Sequence, residues 1–300
     1  MHGSARPRNA SSDASGTRAF VALLIGNLAL AFGPWFVRLA DVGPVAAGFW
    51  RIALAAPLLL LLAQVTGGRP FRAGWALAPV LALSGVAFAG DLAAWHFGIL
   101  QTHLANATLL GNSATFLFPL WGFLMARAWP TRTQGFALLL ATAGAALLMG
   151  RSYQVDPTHF VGDLLCLLAG VLYAVYFVLM TRARAALDPL PALAWSTVAA
   201  SVPLLVFALA MGERVSPGNW TPLLALALLS QVLGQGLMIY ALGRLSPLVI
   251  GLTLLTQPVV AAIVGWLVYG ERLGVADAIG AAMVAAALVL VRRAPERRLR

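Results

Sequence analysis

Lysine is absent from this chain, and all 20 basic residues are arginine. Without lysine there is no Walker A phosphate loop and no lysine Schiff base, so ATPase chemistry of that type and imine chemistry are excluded. Charge of either sign is scarce: 10% of the 300 residues carry it, against about 25% in soluble domains. The single cysteine, Cys166, cannot form a disulfide within the chain and reads as a small packed hydrophobe. Prenyl-transfer chemistry needs paired acids for Mg²⁺, yet no two acidic residues lie close together inside an apolar segment. An H-E-x-x-H zinc motif is missing, and no Ser–His arrangement is evident. These absences argue against a membrane enzyme, and no cofactor or metal site is expected.

Apolar residues fill the space that charge leaves. They make up 61% of the chain, with a mean hydropathy of +0.87, which fits an all-α integral membrane protein with many spans. Residues Met1–Thr17 are polar and rich in Ser, Ala and Arg, and are expected to form a disordered cytoplasmic tail. The apolar run after them is too long for a signal-peptide core and has no convincing cleavage site, so it reads as the first span. Spans are expected near 18–38, 44–65, 75–100, 104–126, 133–149, 160–182, 189–211, 219–242, 247–269 and 275–291. Residues 292–300 form a basic tail.

The arginines give these ten spans a direction. With the N-terminus in the cytoplasm, Arg6, Arg8, Arg18, Arg69, Arg72, Arg127, Arg132, Arg182, Arg184, Arg244, Arg292, Arg293, Arg297, Arg298 and Arg300 lie inside. Only Arg38, Arg151, Arg214 and Arg272 lie outside, and Arg51 falls within a span. Fifteen against four is a strong positive-inside signal, with both termini cytoplasmic. Topology thus explains the net charge of +10 better than a nucleic-acid partner does.

A shift of 145 residues superposes rare residues: Trp50 on Trp195, Trp75 on Trp220, Trp121 on Trp266, Pro44 on Pro189 and Gly98 on Gly243. The same shift pairs Arg127 with Arg272 and Leu109-Leu110 with Leu254-Leu255. Each half, 18–149 and 160–291, then holds five spans. Five is odd, so the second half enters the membrane from the opposite side. Such an inverted-topology repeat is a common secondary-transporter architecture, with a site near the midplane.

Polar residues gather at that depth. Asp91 lies about 13 Å in from the outer end of span 3, and Arg51 about 10 Å in from that of span 2, at 1.5 Å per residue. A lone charge in hydrocarbon is costly, so the two either pair or line one wet cavity. Asp91 and Trp95 share a helix face with Ser84, Phe88 and Gly98. His96 points about 140° away, toward a neighbouring helix or the outer vestibule. Asn112 and Gln257 are equivalent positions in spans 4 and 9; Gln235 and Asn27 add amides in spans 8 and 1. Amides in membranes commonly glue helices, and their convergence at one depth also suits a polar binding site. Trp95 and Tyr173 lie deep enough to wall a cavity. Pro258, after Gln257, frees a carbonyl and bends span 9; Pro119 does so in span 4.

Three stretches carry a resemblance: "PVAAGFWRIALAAPLLL" (Pro44–Leu60), "WHFGILQTHLANATLLGNSATFLFPLWGFL" (Trp95–Leu124) and "ALGRLSPLVIGLTLLTQPVVAAIVGWLVYGERLGVADAIGAAMV" (Ala241–Val284). The chain resembles bacterial EamA-type permeases of the drug/metabolite transporter superfamily, over essentially its whole length after the tail. The resemblance implies ten helices, an inverted repeat and a central cavity, with spans 5 and 10 peripheral. It departs at Ala126, where the repeat partner is Glu271; a turn glutamate is therefore not required in both halves. The family moves amino acids, drugs, nucleotide-linked compounds and vitamins. The expected function is secondary transport of a small metabolite by alternating access, foremost export of an amino acid, with uptake of a vitamin or nucleoside-like compound as the alternative. The expected partners are a small-molecule substrate and the lipid bilayer. Asp91 is the candidate for a coupling proton, and the protein is expected to be a monomer or homodimer.

Overall fold

The computed structural model describes residues 10–68, 70, 77–102, 110–149, 157–269 and 274–293. Among them there is no strand. The helices are α1 (Ala10–Ala31), α2 (Gly33–Leu39), α3 (Pro44–Val65), α4 (Ala78–Gly98), α5 (Ala114–Ala126), α6 (Arg132–Met149), α7 (Phe160–Arg184), α8 (Pro189–Ala210) and α9 (Thr221–Ala225). A π-helical stretch, Leu226–Gln235, leads into α10 (Gly236–Leu242). The chain ends with α11 (Pro247–Leu254), α12 (Thr256–Tyr269) and α13 (Val275–Arg293).

Among the described residues, eight continuous segments are long and apolar enough to cross a membrane: 15–39, 44–65, 78–98, 160–184, 189–210, 221–242, 247–264 and 275–292. Two shorter apolar helices, Ala114–Ala126 and Arg132–Leu148, occupy the places expected of spans 4 and 5. The first helix begins at Ala10, so the stretch expected as a disordered tail through Thr17 is helical from there. The expectations for Arg69, Arg72, Trp75, Leu109, Arg151, Glu271, Arg272 and the C-terminal arginines after Arg293 lie outside the described residues, as do residues 1–9.

Proline sets the helix boundaries. It occupies the first turn of α2, α3, α4, α8, α9 and α11, where its missing N–H is not needed. Pro258 acts differently. Its ring excludes the carbonyl four residues back from helical bonding, and that residue, Leu254, is the last of α11. The expected bend of span 9 is thus a break, with a turn at Leu255 between α11 and α12.

The 145-residue repeat is also a packing symmetry. The indole N–H of Trp50 donates to the Val215 carbonyl at 2.7 Å, and that of Trp195 donates to the Pro70 carbonyl at 2.8 Å. Each bond is the other shifted by one repeat. Together they join the start of α3 to the end of α8 and the start of α8 to the end of α3, so the pair runs antiparallel. The remaining contacts exchange in the same way. Helix α4 packs on α7, and α1 packs on the π segment and α10; α4 also packs on α8, and α3 on the π segment. α5 meets α11, and α6 meets α13.

Small residues permit these close approaches. Ala46, Ala47, Ala63, Ala192, Ala194, Ala200 and Ala208 are fully buried along α3 and α8. A Cβ on Gly85 would lie 2.6 Å from the Ser196 carbonyl, and one on Gly144 2.7 Å from the Gly280 carbonyl. Leu61, Leu139 and Val202 are exposed and face the space that lipid would fill.

Candidate functional site

Five helical segments bring one polar cluster together: α3, α4, α7, α8 and the π segment. Arg51 is buried, with 9% exposure. Its Nε–H donates to Gln231 Oε1 at 3.0 Å. The same amide uses its Nε2 to donate to Thr197 Oγ1 at 3.1 Å. Arg51, which can only donate, fixes which end of the Gln231 amide faces it, and Thr197 accepts from the other end. Arg51 also stands over the Phe88 ring, 5.6 Å from its centroid, an arrangement that stabilises a desolvated cation. One turn toward the start of α4, the Ser84 and Ser196 hydroxyls bond at 2.9 Å.

Asp91 follows Phe88 by one turn and interacts electrostatically with Arg51. Its carboxylate nonetheless forms no ion pair or hydrogen bond with a described residue. Of the two arrangements the sequence allowed, direct pairing is not found. The guanidinium is held by a neutral amide instead, and the carboxylate is half-buried.

The cluster has an aromatic wall. Phe88 stacks on Tyr176 at 4.7 Å and on Tyr173 at 6.3 Å, and Tyr173 packs on Phe177 at 4.3 Å. Gln235 Nε2 donates to the Tyr173 hydroxyl at 3.1 Å. Two buried atoms of this wall, Gln235 Oε1 and the Tyr176 hydroxyl, are without a protein partner among the described residues. Buried polar atoms are seldom left so, and here they adjoin the half-buried Asp91 and Tyr173.

The other expected residues form separate groups. Gln257 Nε2 donates to Asn27 Oδ1 at 2.9 Å, and Asn27 Nδ2 donates to the Leu23 carbonyl at 3.0 Å. This amide ladder ties α12 to α1, the gluing role membrane amides often take. Trp95 and His96 line a cavity of about 370 Å³ where the ends of α2 and α4 meet the start of α3. The Trp95 indole lies against Gly111, where an added Cβ would sit 2.8 Å from it. Asn112 follows Gly111, and its carbonyl accepts from the Thr115 N–H at 2.9 Å.

Gln231 and Thr197 were not singled out in the sequence. A signal existed: Gln231 stands four residues before Gln235, which puts two amides on one side of span 8. The stretch between them is π-helical, and such irregularities recur at functional sites. Among the described residues no cluster of three or more metal-ligating side chains occurs.

A bundle of apolar helices built from two similar halves, closing around buried charge and amides, defines a membrane transporter. The chain belongs to the EamA-like transporter family, whose model matches residues 17–150 and again 160–293. It is a multi-pass protein of the bacterial inner membrane. An uncharacterized transporter of Archaeoglobus fulgidus is 28% identical over 264 residues, covering 85% of this chain and 89% of that protein. The threonine/homoserine exporter RhtA of Escherichia coli (strain K12) is 32% identical over 137 residues, 45% of this chain and 46% of the exporter. The same exporter of Salmonella typhimurium (strain LT2) is 30% identical over 164 residues, 53% of this chain and 56% of that one. The match thus spans about half the length of these exporters. A solved crystal structure shares the fold, with a TM-score of 0.74 over 93% of this chain and 96% of that one, at 16% identity.

Proposed function

We propose that the protein exports a small amino acid by alternating access, with ten spanning helices arranged as two inverted repeats of five and both termini in the cytoplasm. The observation that carries this reading is the separation of Arg51 from Asp91. Two opposite charges share one intramembrane site, and neither neutralises the other by direct contact. A zwitterion answers both: its carboxylate takes the guanidinium N–H groups that Gln231 leaves, and its ammonium takes Asp91. Gln235 Oε1 and the Tyr176 hydroxyl offer further partners for the polar groups of the substrate. The stacked face of Phe88 and Tyr173 suits its carbon skeleton. The relation to threonine/homoserine exporters favours the same substrate class.

The packing symmetry supplies the movement. The bonds of Trp50 and Trp195 close both ends of the α3–α8 seam at once, so that seam is a fixed hinge rather than a gate. The symmetry-related contacts, α4 on α7 and α1 on α10, are then the two sets that open in turn. Asp91 carries the coupling proton, binding it when the ammonium has left.

The test is flux from proteoliposomes loaded with L-threonine or L-homoserine, under an imposed proton gradient. Wild type moves at least one of them against its gradient. Asp91→Asn loses this but retains exchange, and Arg51→Ala loses both. Concentrative transport by Asp91→Asn at the wild-type rate would remove Asp91 from the mechanism, and the proposal with it.

A further inference from the structure

We infer that Arg184 is a gate latch: it ties the end of α10 to the end of α7, and its release opens there a counterpart of the cavity beside Trp95 and His96. That the latch times access to a substrate site rests on the transport reading above; the contact itself rests on its own geometry.

Helix α7 ends at Arg184. The Nε–H of this side chain donates to the Ile239 carbonyl at 3.1 Å, and an Nη1 N–H donates to the Leu187 carbonyl. Ile239 lies in the last turn of α10, where carbonyls lack partners within the helix and a cation is favoured. Gly243 makes room for the guanidinium, since a Cβ there would lie 2.7 Å from Nη2. Asp188 and Arg244 act on Arg184 electrostatically with opposite signs, and both of its hydrogen-bond acceptors are neutral carbonyls. One side chain thus joins the end of α7, the approach to α8 and the end of α10.

The repeat supplies the comparison. Shifted by 145 residues, Arg184 falls on Leu39, an exposed aliphatic residue at the end of α2. Leu187 falls on Val42, Ala183 on Arg38 and Ala241 on His96, and those three first-half residues line the cavity of about 370 Å³. Ala183 and Ala241 are fully buried. The same place in the fold is therefore a cavity in one half and is bridged by a guanidinium in the other. The end of α4 leans instead on the start of α7, where a Cβ on Gly98 would lie 2.8 Å from Cys166 Sγ and 3.0 Å from the Gly162 carbonyl. The ends of α4 and α10 are repeat partners, yet they take different seats. Inverted repeats exchange such arrangements during transport. Arg184 stabilises one of the two, so its loss shifts the balance toward the other.

The test reads both ends at once. In a Cys166→Ala background, Ala183→Cys reports on the latched end and Ile99→Cys on the cavity, with Ala241→Cys and Leu100→Cys as replacements if either folds poorly. The two ends stand the length of α7 apart, about 36 Å. Proteoliposomes holding the full chain are labelled with N-ethylmaleimide, which is uncharged and crosses bilayers. Arg184→Gln is expected to raise labelling of Ala183→Cys by about fivefold or more and to lower that of Ile99→Cys by about threefold or more. Gly243→Ala, which displaces the guanidinium without removing it, should move both rates in the same directions. General loosening of the fold would raise both. Unchanged rates, or a rise at both ends, overturns the latch. If the rates exchange as expected while wild type moves neither L-threonine nor L-homoserine, the substrate reading fails and the latch stands. If flux is as proposed and the labelling does not exchange, the latch alone falls.

Discussion

Arg51 and Gln231 meet at 3.0 Å, Nε to Oε1, although 180 residues of chain separate them. One comes from each half of the repeat, so the central cation is held across the interface between the halves. Gln231 satisfies one N–H of the guanidinium without cancelling its charge.

That distinction can be measured. Gln231→Glu would place a carboxylate on Arg51 and occupy the position a substrate carboxylate needs. The KM for the transported amino acid is expected to rise by about tenfold or more, an effect on the scale of a charge-assisted hydrogen bond. Gln231→Leu removes the acceptor and leaves a buried N–H unsatisfied, which costs about 1–3 kcal/mol of stability. Thr197→Val, which leaves the Gln231 Nε2 donor unmet but keeps the acceptor for Arg51, is expected to fall between wild type and Gln231→Leu. Initial-rate transport and thermal unfolding in detergent separate these outcomes.

The two indole bonds of the α3–α8 seam make a matched pair. Trp50→Phe and Trp195→Phe each lose one N–H···O bond, worth about 1 kcal/mol. Trp50 also meets Trp220 edge-on, with centroids 4.9 Å apart, so its replacement is expected to cost somewhat more. The bonds lie at opposite ends of the seam, and distant sites add. The double variant should therefore lose the sum in thermal unfolding. A marked departure from additivity would show that the seam moves as a gate.

Among the described residues, a carboxylate caps the end of the seam at the start of α3 and none caps the start of α8. Glu213 accepts the N–H groups of Val45 and Ala46 at 3.2 and 2.7 Å, at the first turn of α3. Its repeat partner is Gly68, which packs on Pro191 instead. Glu213→Ala leaves two helix-start donors unmet and is expected to cost about 2 kcal/mol. Gln at this position should restore part of the loss, and unfolding midpoints provide the comparison.

Acid should loosen the same end. The Gly218 backbone N–H, above all, holds the Asp41 carboxyl below its usual range, with Arg214 adding to the effect. A group depressed in the folded state contributes stability above its unfolded pKa and loses it as pH falls through the folded value. Thermal stability followed from about pH 5 down to about pH 2.5 should therefore decline in wild type, with a smaller decline in Asp41→Asn. Identical profiles would show that this loop contact does not contribute.

The family and the repeat were both legible in the linear chain. Scarce charge and long apolar runs require helices that satisfy their own backbone, because hydrocarbon offers no partner. Rare tryptophans at a constant offset of 145 residues exposed the duplication before any contact was known. Depth along a helix is arithmetic, so Arg51 and Asp91 could be placed at similar levels. Which side chains touch is a different matter, because it depends on how helices rotate and cross. Packing joined Arg51 to Gln231 and Thr197 rather than directly to Asp91, sent Gln257 to Asn27, and set Trp95 and His96 beside a cavity at the end of α4. It also turned a bend at Pro258 into a break after Leu254, and a regular span 8 into a π-helical one. The side-chain partnerships were set by neighbours far away in sequence, whose fit no local pattern records.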